Sequence, residues 1–229
     1  MKPRCANQSC RALTLVEMVV VVFVLAVLTA ILLPTLRPPR DIPSRIYCLN
    51  NLKQIALAYR VWAGDHGDQY PMHTSITNGG TTELDAAKIW FNFSVISNEL
   101  VTPKILICPA DTNRIAATNF STDFNNRKIS YFISLDATET QPQMFLAGDD
   151  NFTINGVSVE SGLLQLSTNL PVAWNGGRHF SYNSHFWTPT RDKFVGNICL
   201  SDGSVQQLST EGLQQILLQC SATNRLAIP

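Results

Sequence analysis

Hydrophobic residues run along the chain in three rhythms. From Leu13 to Leu33 the sequence reads LTLVEMVVVVFVLAVLTAILL, an apolar run carrying one charge, Glu17. A stretch of about 20 such residues is what a helix needs to cross a bilayer, so the run predicts a transmembrane helix over residues 13–33. Pro34, Pro38, Pro39 and Pro43 follow. Each interior proline costs a helix about 3 kcal/mol, which predicts a broken neck over residues 34–43. Asp41 is placed to cap a new helix, with Pro43 in its first turn.

From Ser44 to Ala63 the rhythm changes. Ile46, Leu49, Leu52, Ile55, Ala56, Tyr59 and Trp62 recur every three or four residues, predicting an amphipathic helix with one apolar stripe. Gly64 and Asp65-His66-Gly67-Asp68 end it with turn chemistry. Beyond lie short apolar runs that predict strands: Ile105–Cys108, Ile129–Leu135, Gln143–Ala147, Asn197–Leu200 and Val205–Leu208. Asp202-Gly203 between the last two signals a two-residue hairpin. Residues 212–220 predict a short closing helix. The expected fold is α+β: an N-terminal hydrophobic transmembrane helix, then an amphipathic helix packed on a small antiparallel β-sheet with long loops.

Composition changes this picture at one end. The 229 residues carry 17 basic and 17 acidic side chains, 15% charged in all, against about 25% in a typical soluble domain. A balanced charge argues against a nucleic-acid binder held by a basic surface. Lys2, Arg4 and Arg11 precede the apolar run with no acid among them; without them 14 basic residues face 17 acidic ones. The chain divides into a leader over 1–12, the transmembrane helix, the neck, and a globular domain over 44–229.

Two other readings of the apolar run are weaker. A buried core helix is rarely so uniformly apolar. A secretory signal has a shorter apolar region and small residues before the cut, where this chain has Leu28. Orientation from charge alone is a near tie, since Arg37, Arg40 and Arg45 follow the run. Glu17 stands out because a carboxylate in a membrane segment is a functional residue by default.

The junction Arg11-Ala12-Leu13-Thr14-Leu15-Val16-Glu17 resembles the cleavage and methylation motif of type IV prepilins and type II secretion pseudopilins. Ala12 stands where Gly is commoner, and Leu13 where Phe or Met is commoner. The resemblance implies that a prepilin peptidase cuts between Ala12 and Leu13 on the cytoplasmic side and methylates the new amino terminus at Leu13. It implies that Glu17 is an assembly residue, meeting the Leu13 ammonium of a neighbouring subunit, and that Pro34 kinks the helix. The implied protein is a structural subunit rather than an enzyme. Its partners are the peptidase, other pilin subunits and inner-membrane lipid, with no nucleic acid, and its C-terminal domain lies in the periplasm.

Further strings resemble one bacterial subfamily whose C-terminal region carries a His followed by an Asp-Gly hairpin. They are Cys48-Leu-Asn-Asn-Leu-Lys-Gln-Ile, Asp65-His-Gly-Asp with Tyr70-Pro71, Ile107-Cys108-Pro109-Ala110-Asp111, Ser130-Tyr131, Leu146-Ala147-Gly148-Asp149, Arg178-His179, Gly196-Asn197 and Ser201-Asp202-Gly203-Ser204. Residues 180–195 lengthen the usual spacing and read as an insertion.

Cys5 and Cys10 lie in the leader; Cys48, Cys108, Cys199 and Cys220 remain, an even number in an oxidising compartment. Because Cys48 and Cys108 both belong to the family-like strings, the resemblance favours a Cys48–Cys108 disulfide, with Cys199–Cys220 as the second; buried free thiols are the alternative. No Cys-x2-Cys spacing points to zinc. His66, His73, His179 and His185 form no metal-spaced pair, and Cys108 with His179 is the one Cys–His combination that suggests a nucleophile. No phosphate-binding glycine loop or serine-hydrolase elbow is present. Some major pseudopilins hold calcium in a C-terminal loop, which makes Asp149, Asp150 and Asp202 candidate calcium ligands; turn chemistry explains the same residues without a cofactor. A second function class stays open: a single-pass surface or periplasmic binding protein that uses the pilin-type signal only as an anchor.

Overall fold

The structure, a computed structural model, describes residues 14–35, 41–167, 170–176, 178–183, 190–219 and 224–229. These fall into two units, one containing the first helix and the other running from Asp41 to Pro229. Ala12 and Leu13, the two residues of the expected cleavage site, lie outside the described residues.

Helix α1 spans Leu15–Thr35, with Pro34 in its last turn. Every residue from Leu15 to Leu32 is exposed within this chain. An apolar helix of this length suits hydrocarbon or packing among other apolar helices.

Helix α2 spans Asp41–Asp65, with Pro43 in its first turn. Leu52, Ile55, Ala56, Tyr59 and Trp62 are buried, as the stripe predicts, Leu49 is half-buried, and Cys48, outside the stripe, is buried as well. Ile46 departs from it and is exposed, together with Tyr47, Leu57 and Val61. Between α2 and the first strand the chain packs through two short helices, α3 (Trp90–Val95) and α4 (Ser97–Leu100), and several 3-10 turns.

The strands are β1 (Tyr131–Ser134), β2 (Phe145–Asp149), β3 (Phe152–Ile154), β4 (Val157–Ser158), β5 (Gly162–Leu166), β6 (Val172–Trp174), β7 (His179–Asn183), β8 (Thr190–Leu200), β9 (Val205–Ser209) and β10 (Asn224–Ile228). Helix α5 (Thr210–Gln219) is the closing helix. The main sheet has seven strands in the order β5-β10-β1-β2-β8-β7, with β9 on β8, and all its pairings are antiparallel. A second sheet has the order β4-β3-β6.

The α+β class is as expected, but the sheet is not small, and both of its faces are buried. One face packs under α2 with Tyr131, Ile133 and Ala147. The other carries Phe132, Phe145 and Ile198 against α5 and the smaller sheet. In β1 the alternation of the strand sends Tyr131 and Ile133 one way and Phe132 the other.

Two expectations need correction. Ile105–Cys108 is not a strand: Pro103–Leu106 is a 3-10 turn, with the Thr102 hydroxyl accepting from Lys104 N–H and proline opening the turn. The Asp202-Gly203 connection is a three-residue loop. Gly203 N–H donates to Leu200 O and Leu200 N–H donates to Ser204 O, while Gly203 has φ +84°. This is a turn closed by a left-handed residue, which only glycine adopts without strain. Residues 180–195, read as an insertion, extend β8 as a hairpin arm in which residues 179–183 pair with 190–195.

Candidate functional site

Two polar constellations stand apart from the apolar structure. The first is at the start of α1. Thr14 is the N-cap: its carbonyl accepts from Met18 N–H at 3.2 Å. Its hydroxyl oxygen accepts from Glu17 N–H at 3.3 Å, and Glu17 Oε2 accepts from Thr14 N–H and from the Thr14 hydroxyl, each at 2.8 Å. Ser/Thr-x-x-Glu bonded reciprocally in this way is a capping box, which satisfies two of the free N–H groups at a helix start. Thr14 and Glu17 therefore define where α1 begins. The sequence reading assigned Glu17 an assembly role and missed this local one, although the three-residue spacing signals it.

The second constellation is buried in the domain. Strand β8 is long enough to pair along one edge with two strands in succession. Gly148 of β2 lies opposite Ile198, and His179 of β7 lies opposite Val195. Between them is a notch, faced by Gly196 and Asn197, where β2 runs out and β7 begins. Gly196 is required there: a Cβ would lie 2.3 Å from the Trp174 ring.

Asp149 at the end of β2 fills the notch. Its Oδ2 accepts from Asn197 N–H at 2.8 Å and from Asn197 Nδ2 at 2.9 Å, and lies 3.5 Å from His179 Nε2. The same imidazole nitrogen is 3.4 Å from Cys108 Sγ. Cys108 is joined to Cys48 by a disulfide that ties α2 to the chain ahead of β1.

Next to this lies an ion cluster. Arg178 reaches Asp111 Oδ2 at 2.7 Å and Asp150 Oδ1 at 2.5 Å. Arg114 reaches Asp111 Oδ2 at 3.1 Å and Asp150 Oδ2 at 2.6 Å. Ser130 donates its hydroxyl to Asp111 at 2.9 Å, and its carbonyl accepts from Arg178 Nη1 at 3.0 Å. Burial pushes the Asp111 carboxyl up, but Arg178, the Ser130 hydroxyl and Arg114 outweigh it and hold it below its usual range. Asp150 is buried more deeply, so burial wins and its carboxyl is raised despite the same two guanidiniums. Arg178 is held above its ordinary value, because Asp150, Asp149 and Asp111 together exceed the effect of its own burial.

The strings around Cys48, Cys108, Asp111, Ser130, Asp149, Arg178 and Asn197 thus meet at one place. Sequence reasoning singled out the strings but not their convergence, and it passed over Arg114. Tyr70, from another of them, donates its hydroxyl to Ser201 O at 2.9 Å and closes the domain at the opposite end of β8.

Several candidate roles do not assemble. Cys108 is spent in the disulfide, so it is no nucleophile beside His179. Cys199 carries a free buried thiol, pushed up to about 12 chiefly by burial, and its expected partner, Cys220, lies outside the described residues. The calcium set is dispersed. Asp149 and Asp150 lie at the end of β2 beside Asn197 and the arginines, while Asp202 accepts from Ser204 N–H in the hairpin loop at the other end of β2. His185 lies outside the described residues; His66 and His73 bond Trp62 O and Ala137 O.

Comparison with known proteins agrees with the first constellation. The family described as the prokaryotic N-terminal methylation motif matches residues 7–33, which contain Ala12, Leu13, the capping box and most of α1. No curated protein and no solved structure matches the chain. The chain therefore carries a prepilin- or pseudopilin-type signal, and its apolar helix with that signal marks a membrane anchor.

Proposed function

We propose that this protein is a pilin-like structural subunit, cleaved between Ala12 and Leu13 by a prepilin peptidase, methylated at Leu13 and assembled through α1 into a type IV pilus-like filament or type II secretion pseudopilus. The observation that carries this reading is the methylation motif over residues 7–33, which takes in most of α1, a helix that exposes apolar side chains on every face. In the membrane, the leader lies in the cytoplasm and the domain in the periplasm. The domain belongs, on this reading, to the subfamily with a His and an Asp-Gly hairpin. Its buried disulfide and ion cluster serve rigidity: they lock α2, the segment before β1 and three strands into one body. Glu17 has two successive duties, capping α1 in the single subunit and meeting a neighbour's terminal ammonium in the assembly.

A second reading is favoured by the interval between α1, which ends at Thr35, and α2, which begins at Asp41: the proline-rich stretch between them suits a plain anchor for a surface binding domain. Glu17→Ala separates the two. A filament subunit retains membrane extraction behaviour but loses recovery in sheared or cross-linked multimers by at least tenfold. An anchor-only protein loses neither, and equal multimer recovery from Glu17→Ala would contradict the subunit reading.

A further inference from the structure

The disulfide sits in a set of metal donors. Cys48 Sγ, Cys108 Sγ and His179 Nε2 lie within 4.8 Å of one another. Cys108 Sγ is 3.4 Å from that nitrogen, and the nitrogen is 3.5 Å from Asp149 Oδ2. Neighbouring ligands of a tetrahedral zinc stand about 3.3–3.8 Å apart, given bonds of about 2.3 Å to sulfur and about 2.0 Å to nitrogen or oxygen. The Cys–His and His–Asp separations already fall in that range.

A second observation points to a cation here. Asp149 is fully buried, and its Oδ1 has no hydrogen-bond partner among the described residues. With Asp111 and Asp150 it makes three buried carboxylates beside two guanidiniums, Arg114 and Arg178. A buried carboxylate without a compensating cation is costly. Asn197 holds Asp149 by two bonds to one oxygen, the kind of outer support that orients a ligating carboxylate.

We propose that the dithiol form of this chain holds one thiophilic divalent cation of the zinc class through Cys48 Sγ, Cys108 Sγ, His179 Nε2 and the Asp149 carboxylate, and that the disulfide is the metal-free state of the same site. The exchange between the states balances with a small disulfide such as oxidised glutathione as oxidant. Two thiolate–metal bonds and the oxidant's S–S bond break, and the Cys48–Cys108 bond forms. The oxidant takes up two electrons and two protons to leave as two thiols, and the cation departs. The site supplies the region with one fixed geometry before oxidation and another after it.

The test uses the full chain in detergent micelles, reduced with a phosphine in metal-free buffer and titrated with cobalt(II). Intense tetrahedral d–d bands with thiolate-to-cobalt charge transfer are expected, saturating at one cobalt per chain and bleached by zinc. The disulfide form gives none, and oxidised glutathione discharges the cobalt. Asp149→Asn and His179→Ala each weaken cobalt binding at least tenfold. If reduction alone loosens the domain, cobalt restores its near-ultraviolet circular dichroism. A reduced chain that yields only the pale octahedral spectrum, or bands that persist in the Cys48→Ser/Cys108→Ser double variant, overturns the proposal.

Discussion

Helices α1 and α2 are of similar length and both rich in apolar residues, yet they solve opposite problems. In α1 the apolar side chains point all round, and each from Leu15 to Leu32 is exposed. In α2 one face is used: Cys48, Leu52, Ile55, Tyr59 and Trp62 are covered completely or nearly so by the domain, while Ile46, Tyr47, Leu57 and Val61 stay exposed. The two differ in amount as well as in placement: α1 carries a single charged side chain, Glu17, whereas α2 interleaves its apolar residues with polar ones such as Lys53, Gln54 and Arg60. The difference teaches that α2 is completed by the sheet beneath it, whereas the even apolar surface of α1 suits a membrane.

The polar groups follow the same division. Glu17 on α1 is exposed and bonds only locally, to Thr14, whereas Arg178 bridges carboxylates from two distant segments inside the domain. Replacing Arg178 should therefore have the largest effect. Arg178→Met leaves Asp111 and Asp150 short of a cation and is expected to destabilise the domain by about 3–5 kcal/mol. Urea unfolding of the full chain in micelles reads that loss, while carbonate extraction shows membrane attachment unchanged.

Opening the disulfide comes next. Its cysteines are 60 residues apart, and a loop of that length corresponds to about 4 kcal/mol in the chain-entropy account. The Cys48→Ser/Cys108→Ser variant should show that shift in urea midpoint, again without detaching α1.

The carboxylates predict a smaller, pH-dependent effect. Asp111 has a lowered value in the folded state, so its contribution is present above the ordinary carboxylate range and is lost as pH falls through its folded value. Asp150 has a raised value, so its contribution is present below the ordinary range and is lost as pH rises through its folded value. The two oppose one another. Asp111→Asn should flatten the fall in stability between about pH 4 and the acid end, measured as the slope of unfolding free energy against pH.

The smallest effect is expected from Leu25→Ala in α1. Leu25 is about half exposed on a helix outside the unit that holds the domain, so the domain's unfolding free energy should move by less than about 0.5 kcal/mol. A larger shift would mean that α1 is stabilised by its own domain after all.

Legibility in the sequence followed periodicity. The apolar run became α1, the stripe became α2, and β1, β2, β8 and β9 lie within or across the runs that predicted them. The second layer was hidden. Strand β10 enters between β5 and β1 from the far end of the chain, and β5 reads GLLQL, too short and mixed to stand out. Helix α5 was visible, but nothing local showed that it covers a second sheet face through Leu213 and Leu217. Ile105–Cys108 misled because apolar content was weighed above Pro103, which opens a turn. For the site, individual strings were legible and their meeting was not. Asp111 and Arg178 are 67 residues apart, and only the notch on β8 shows why Asp149, His179 and Asn197 converge.

The most direct test of the central claim, that a prepilin-type signal governs this chain, is the intact mass of the membrane-extracted protein together with its N-terminal sequence. The account predicts a chain that starts at N-methylated Leu13 with the domain intact. A chain that still starts at Met1 in a host with an active prepilin peptidase, or one that starts beyond residue 30, would contradict it.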